Sequence, residues 1–174
     1  MLPIEAHLVL NHVPLVGLMF GLVFFVAGWR RSSEAALRAG LRIFVSMGVL
    51  VVLVAGSGLV TANLLAEAAW LNPDALAVHQ QIGILTLVVL VALAGLSGAM
   101  LLVSRTTPGF RAWAIKTVLV LALAGIGASI WAAYLGGALR HTELGRTSPV
   151  KPRGRSELRA GWNATSALPV ERGR

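Results

Sequence analysis

Four long apolar stretches without a single charge constrain this chain more than any other feature of its sequence. They span residues 13–29, 43–62, 82–103 and 117–139, and none of them contains Asp, Glu, Lys, Arg or His. A helix needs about 20 mostly apolar residues to cross a bilayer, where only internal hydrogen bonds can satisfy the backbone. Each stretch therefore predicts a membrane-spanning helix.

The composition supports a membrane protein and excludes several other classes. The chain is 56% hydrophobic and only 13% charged, whereas soluble domains are about 25% charged. Its net charge of +8 comes from residues in loops and the tail, so it indicates membrane topology rather than nucleic-acid binding. The absence of cysteine excludes disulfides, thiolate metal sites and covalent c-type haem attachment. The opening MLPIEAH has no basic residue, which favours a retained helix over a signal peptide.

The sequence predicts an all-α fold, an integral membrane four-helix up-down bundle. The connections are short, so consecutive helices should be antiparallel neighbours. The predicted bundle covers residues 1–143, with helices at about 5–29, 41–66, 73–103 and 112–141. Asn72, Pro73 and Asp74 form a typical helix start. Residues 144–174 form a basic tail rich in Gly and Pro, which predicts a disordered or extended segment.

The alternating direction of the helices assigns every loop to one of two membrane faces. We define face X as the side where helices 1 and 3 begin and helices 2 and 4 end, and face Y as the opposite side. The basic residues on face Y are Arg30, Arg31, Arg38, Arg42, Arg105, Arg111 and Lys116. Because the N-terminus and the loop between helices 2 and 3 carry no Lys or Arg, the positive-inside rule predicts that face Y is cytoplasmic. The basic tail also lies on face X and acts against this orientation.

All four histidines of the chain belong to face X. His7 and His12 precede the first apolar stretch, His79 lies near the start of helix 3, and His141 follows helix 4. Polar residues gather at membrane interfaces in any case, so one interpretation is ordinary interfacial placement. The other is a haem or metal site, since imidazole is the commonest metal ligand and two can hold a haem iron axially.

His12 and His79 are the first choice for an axial pair, because both lie within a turn of an apolar stretch and helices 1 and 3 face each other. His7 points about 140° away from His12 on a continuous helix, so it would join a second site, with His141 as a possible partner. Either Pro14 lies near the helix start or it kinks the helix. The remaining candidates for cofactor contact are Asn11, Gly83 and Arg140. Arg140 could pair with a haem propionate or with Glu143, or serve as an interfacial anchor.

Two end motifs carry a resemblance to a known group. HLVLNHVPLVG at 7–17 and GGALRHTEL at 136–144 resemble uncharacterised bacterial four-helix membrane proteins that open with HLxLNHxPxxG and close with GGxxRHxE. That group is similar to a small bacterial membrane domain of unknown function. The matching positions are His7, Asn11, His12, Pro14, Gly17, Gly136, Gly137, Arg140, His141 and Glu143. His79 matches the histidine that the resemblance implies at the start of helix 3, but HQQ stands where acidic residues often follow it.

These observations predict a membrane-anchored electron-transfer subunit that binds haem b through histidines at the periplasmic face. Its setting would be the bacterial inner membrane, with both termini periplasmic and other membrane or periplasmic subunits as partners. The sequence shows no nucleophile–base arrangement, which favours a non-catalytic subunit. The alternatives are a non-redox accessory or assembly subunit, whose tail docks on a partner or on anionic lipid, and a histidine site for copper, zinc or iron.

Overall fold

The computed structural model describes residues 7, 9–65, 73–103 and 112–145, with side chains described as far as Leu139. Within these residues the fold is all-α. It consists of four long helices: α1, His12–Arg30; α2, Glu34–Leu65; α3, Pro73–Val103; and α4, Ala112–Gly145. The chain divides into two units, Met1–Thr142 and Glu143–Arg174. The basic tail predicted from residue 144 lies outside the described residues from Arg146 onward.

All four helices are long and apolar enough to cross a membrane. The 19 residues of α1 extend about 28 Å, close to the thickness of the hydrocarbon core. The other three contain 32, 31 and 34 residues, so they are long enough to project beyond it. Large apolar side chains are exposed on every helix, among them Phe20, Val52, Val88 and Val120. Such a surface suits lipid rather than water, and the protein is a membrane protein.

A three-residue turn joins α1 to α2 on face Y. Ser32 adopts a positive φ of 51°. The backbone N–H of Ser33 donates to the carbonyl of Gly28 at 2.8 Å, and that of Ser32 to the carbonyl of Trp29 at 3.4 Å. This is the bonding pattern of a Schellman motif, which ends a helix and reverses the chain. The turn makes α1 and α2 antiparallel neighbours.

The start of α2 differs from the sequence-based bound. α2 begins at Glu34 rather than near residue 41, because the charged residues before the apolar stretch are themselves helical. Arg38 pairs with Glu34 one turn earlier at 2.7 Å, and Leu37 is buried against the core. For the first helix, residues 5, 6 and 8 lie outside the described residues. Residues 7, 9 and 10 are helical, and the backbone N–H of Asn11 donates to the carbonyl of His7 at 2.9 Å, as in an α-helix, before α1 begins at His12. Pro14 is the third residue of α1, where its missing N–H removes the bond to Leu10.

Glycines allow α1 and α2 to pack backbone against backbone. A Cβ atom at Gly40 would lie 2.8 Å from both the carbonyl oxygen of Gly21 and the amide nitrogen of Phe25. Gly28 lies equally close to the backbone of Leu37, and Gly17 packs against Met47. Contacts nearer the N-terminus of α1 involve residues nearer the C-terminus of α2, as antiparallel packing requires. The GxxxG pattern at 17–21 therefore serves helix packing, as such motifs commonly do.

The other two helices complete one apolar core. Gly48 on α2 packs against Ala94 on α3, and Gly125 on α4 lies against Leu90 of α3 and Leu18 of α1. The aromatic rings of Phe25 and Phe44 meet with centroids 5.9 Å apart. The side chains that are almost fully buried include Leu18, Phe25, Leu41, Phe44, Leu90, Leu93 and Val118. The core therefore joins all four helices within the apolar stretches.

Substituting Gly40 by alanine should destabilise the bundle. The added methyl would meet backbone atoms of α1 that cannot rotate away, and overpacking of this kind costs about 1–3 kcal/mol. Gly56→Ala on the same helix is the matched control, because a Cβ there meets nothing within 4 Å. We expect a lower melting temperature in detergent for Gly40→Ala and an unchanged or higher one for Gly56→Ala. Equal melting temperatures for the two variants would contradict this close contact.

Candidate cofactor site at face X

His7 packs against the C-terminal half of α2. Its Nδ1 lies 2.9 Å from the hydroxyl oxygen of Ser57. A Cβ atom built on Gly58 would lie 3.0 Å from Cε1 of the same imidazole. Thus a serine fixes the edge of the ring and the adjacent glycine leaves room for it. This contact continues the antiparallel pairing of α1 with α2 beyond the turn at Asn11.

The hydrogen bonds around Ser57 favour one tautomer of His7. The hydroxyl of Ser57 donates its one proton to the carbonyl of Val54 at 2.8 Å. With the hydroxyl directed at this carbonyl, its oxygen can accept from Nδ1–H of His7, and the tautomer of the ring sets the direction of this bond. In that tautomer the lone pair of neutral His7 resides on Nε2. A histidine held through Nδ1–H by an oxygen acceptor is the usual arrangement of a metal-binding imidazole.

His79 packs against α4 in a similar way. A Cβ atom on Gly136 would lie 3.2 Å from Cε1 of His79, and the ring also interacts with the backbone carbonyl of Ala132. Its Nδ1 is buried and has no hydrogen-bond partner in the part of the chain that the structure describes. An unsatisfied buried nitrogen costs about 1–3 kcal/mol, so such an atom is a candidate contact for a ligand or ion.

His79 lies close enough to His7 to affect the charge of His7. Burial lowers the pKa of His7 below its ordinary value of 6.5, the neighbouring His79 lowers it further, and a hydrogen bond with the backbone of Val54 partly opposes both. His7 is therefore held in the neutral form that can bind a metal. The two imidazoles come from separate elements at face X, and each lies against a glycine of another helix.

The remaining sequence candidates have different surroundings. The side chain of His12 is exposed, whereas that of His7 is half-buried. Asn11 is half-buried in the turn that precedes α1. A Cβ atom built on Gly83 would meet no other atom within 4 Å. The structure describes the backbone of Arg140 and His141 within α4, but their side chains lie outside the described residues. The pairing of His7 with His141 is therefore untested.

Sequence reasoning gave no role in the site to Ser57, Gly58 or Thr61. The hydroxyl of Thr61 is buried and lacks a hydrogen-bond partner among the described residues. It follows Ser57 by four positions, so it lies on the same side of α2 one turn nearer the end of the helix. The signal in the sequence was the pair Ser57 and Gly58, a small polar residue beside a glycine. An antiparallel first helix would bring His7 to this level of α2. That pattern is equally typical of ordinary helix packing.

The arrangement suits a ligand that needs two imidazoles. Within residues 7, 9–65, 73–103 and 112–139, no three His, Asp or Glu side chains are grouped closely enough to hold a metal ion. A haem needs fewer protein ligands than a bare metal ion, because its own four nitrogens surround the iron and leave two axial positions. Nδ1 of His79 and Nε2 of His7 are the ring nitrogens that such a group would use.

Stability should depend on His7 below neutral pH. Because the pKa of His7 is lower in the folded protein than the ordinary 6.5, the unfolded chain binds more protons between those two values. The contribution of His7 to the free energy of unfolding is then fully present above about pH 6.5, and it is lost as pH falls through the pKa of the folded state. In protein prepared without haem or metal, we expect the melting temperature of the parent to fall from pH 7.5 to 5.

His7→Gln should flatten this decrease, since glutamine can still donate to Ser57 but does not titrate. His12→Gln, at an exposed position of the same segment, is the control and should keep the slope of the parent. Thermal unfolding of the three proteins across this pH range measures the effect. Parallel curves for the parent and His7→Gln would refute the link between burial of His7 and acid sensitivity.

Comparisons with known proteins found no match for this chain among protein-family models, curated proteins or solved structures.

Proposed function

We propose that this protein is a membrane-anchored electron-transfer subunit that binds haem b between His7 and His79. The observation that carries the proposal is the pair of neighbouring imidazoles at face X, each with a ring nitrogen that the chain leaves for a ligand. His7 offers Nε2, because Ser57 occupies its Nδ1. His79 contains a buried Nδ1 without a hydrogen-bond partner among the described residues.

The residues around the pair have separate tasks in this proposal. Ser57 orients the ring of His7 and holds its proton on Nδ1, which keeps the opposite nitrogen available for iron. Burial keeps His7 neutral, as ligation requires. Gly58 and Gly136 leave space for the two rings against α2 and α4. The haem itself supplies one-electron chemistry, while the protein supplies the ligands, the apolar surroundings and the orientation.

A site made of two imidazoles favours electron transfer over chemistry at iron. If both histidines held the iron of a haem, they would leave it no open position for a substrate. The basic residues of face Y favour a periplasmic location for the site. In this setting the subunit would exchange electrons with a membrane or periplasmic partner. The same residues would serve a copper, zinc or iron site only with additional ligands. Elemental analysis together with the absorption spectrum distinguishes such a site from haem.

The absorption spectrum of the purified protein tests the proposal. After expression with ample haem, we expect a Soret band and a reduced-minus-oxidised spectrum of a six-coordinate b-type haem. His7→Ala and His79→Ala should each lose or shift the bands, because each removes an axial ligand. His12→Ala is the matched control and should retain them. A protein without a Soret band would refute haem binding, and unchanged spectra in both ligand variants would refute this pair.

The space in front of His79 offers a second test. Gly136→Ala places a methyl 3.2 Å from Cε1 of His79, so the ring must shift by a few tenths of an ångström. Gly137→Ala is the matched control, because a Cβ there meets nothing within 4 Å. Residues that position metal ligands typically alter affinity by about 10–100-fold, and we expect the lower end of this range for Gly136→Ala. The transfer rate of haem to an apo-globin acceptor measures this, and equal rates in the two variants would contradict the placement of His79.

A further inference from the structure

An open groove runs along α1 near face Y, away from the histidines. It has a volume of about 650 Å³, and the described residues that line it are Leu22, Val23, Val26, Ala27, Arg30 and Arg31. These residues form two parallel rows with a spacing of four, which places the members of each row one turn apart on the same side of a helix. Each row starts with apolar side chains and ends at an arginine. Leu22 and Val26 lead to Arg30, and Val23 and Ala27 lead to Arg31.

The two arginines are exposed, and neither forms an ion pair with another described residue. The salt bridge seen in this region joins Arg38 and Glu34 of α2 instead. Ala27 is small and half-buried, and it lines the groove together with Val23 and Val26. The groove therefore combines apolar side chains with two arginines at one end that form no ion pair with the described residues.

The dimensions of the groove match one leaflet of a bilayer. From Leu22 to Arg31 the helix rises about 13 Å, and half of a hydrocarbon core is about 15 Å. The apolar residues belong to a membrane-spanning helix, and the arginines mark its end. A partner for this surface must present hydrocarbon along the helix and negative charge at the level of the arginines. An anionic phospholipid has this arrangement.

We propose that this groove is a binding site for an anionic phospholipid of the face Y leaflet, with its acyl chain along Val23, Val26 and Ala27. The lipid phosphate lies on Arg30 and Arg31, where its oxygens accept hydrogen bonds from both guanidinium groups. Such a site anchors α1, and through it the turn into α2, in the leaflet of face Y. It is independent of haem binding, because none of its residues belongs to the histidine site.

Native mass spectrometry of the purified full-length protein tests this site. The protein is titrated with palmitoyl-oleoyl phosphatidylglycerol and, separately, with phosphatidylcholine of the same chains. We expect the parent to retain phosphatidylglycerol preferentially. Arg30→Gln combined with Arg31→Gln should weaken phosphatidylglycerol binding by about fivefold for each arginine, since a basic residue near an anionic surface contributes about this factor.

A charge-matched variant distinguishes binding in the groove from general electrostatic attraction to the positive charge of face Y. Arg42→Gln combined with Lys116→Gln removes the same two charges from exposed positions of face Y outside the groove, and it should keep the affinity of the parent. Ala27→Phe fills the groove without changing charge and should also weaken binding. Equal losses in the two double variants, or an unchanged affinity in the arginine pair or in Ala27→Phe, would overturn the proposal.

Discussion

The close contact between α1 and α2 is the interaction on which the rest of the structure depends. Inside a bilayer the hydrophobic effect does not drive helices together, so association relies on packing. Gly28 and Gly40 allow the two backbones to approach until a single added methyl would collide with main-chain atoms. The tight turn at Ser32 brings the helices together in sequence, and the glycines fix how far one can slide along the other.

This fixed register carries the candidate site. Once Gly28 lies against Leu37 and Gly21 against Phe44, the antiparallel geometry brings the segment before α1 alongside the end of α2. His7 then meets Ser57 and Gly58. The same logic operates between α3 and α4, where the contact of Gly125 with Leu90 is continued by that of Gly136 with His79. The positions of both imidazoles therefore follow from packing in the apolar interior, several turns away.

Much of the fold was predictable because a bilayer limits the chain to a few solutions. Four uncharged stretches predicted four helices, and the predicted start at Pro73 coincides with the beginning of α3. The start of α2 was harder to predict. The apolar stretch is bounded by charged residues, whereas the helix continues through them. The Glu34–Arg38 pair lets α2 continue into the polar zone. The surroundings of His7 and His12 were not predictable either. The burial of His7 depends on the register of its segment with α2, which leaves no periodic pattern in the sequence.

The glycines of this chain divide into two groups by what occupies the space in front of them. In the interior, Gly28 and Gly40 face backbone atoms, which cannot move, so they determine whether the bundle assembles. At face X, Gly58 and Gly136 face imidazole rings, which can turn about their own bonds. A methyl group at the first pair should act on stability, and one at the second pair on the orientation of the rings. The register of the helices links the two groups, so a substitution at Gly28 or Gly40 can disturb the site indirectly. A substitution at Gly58 or Gly136 can alter the site while the bundle stays intact.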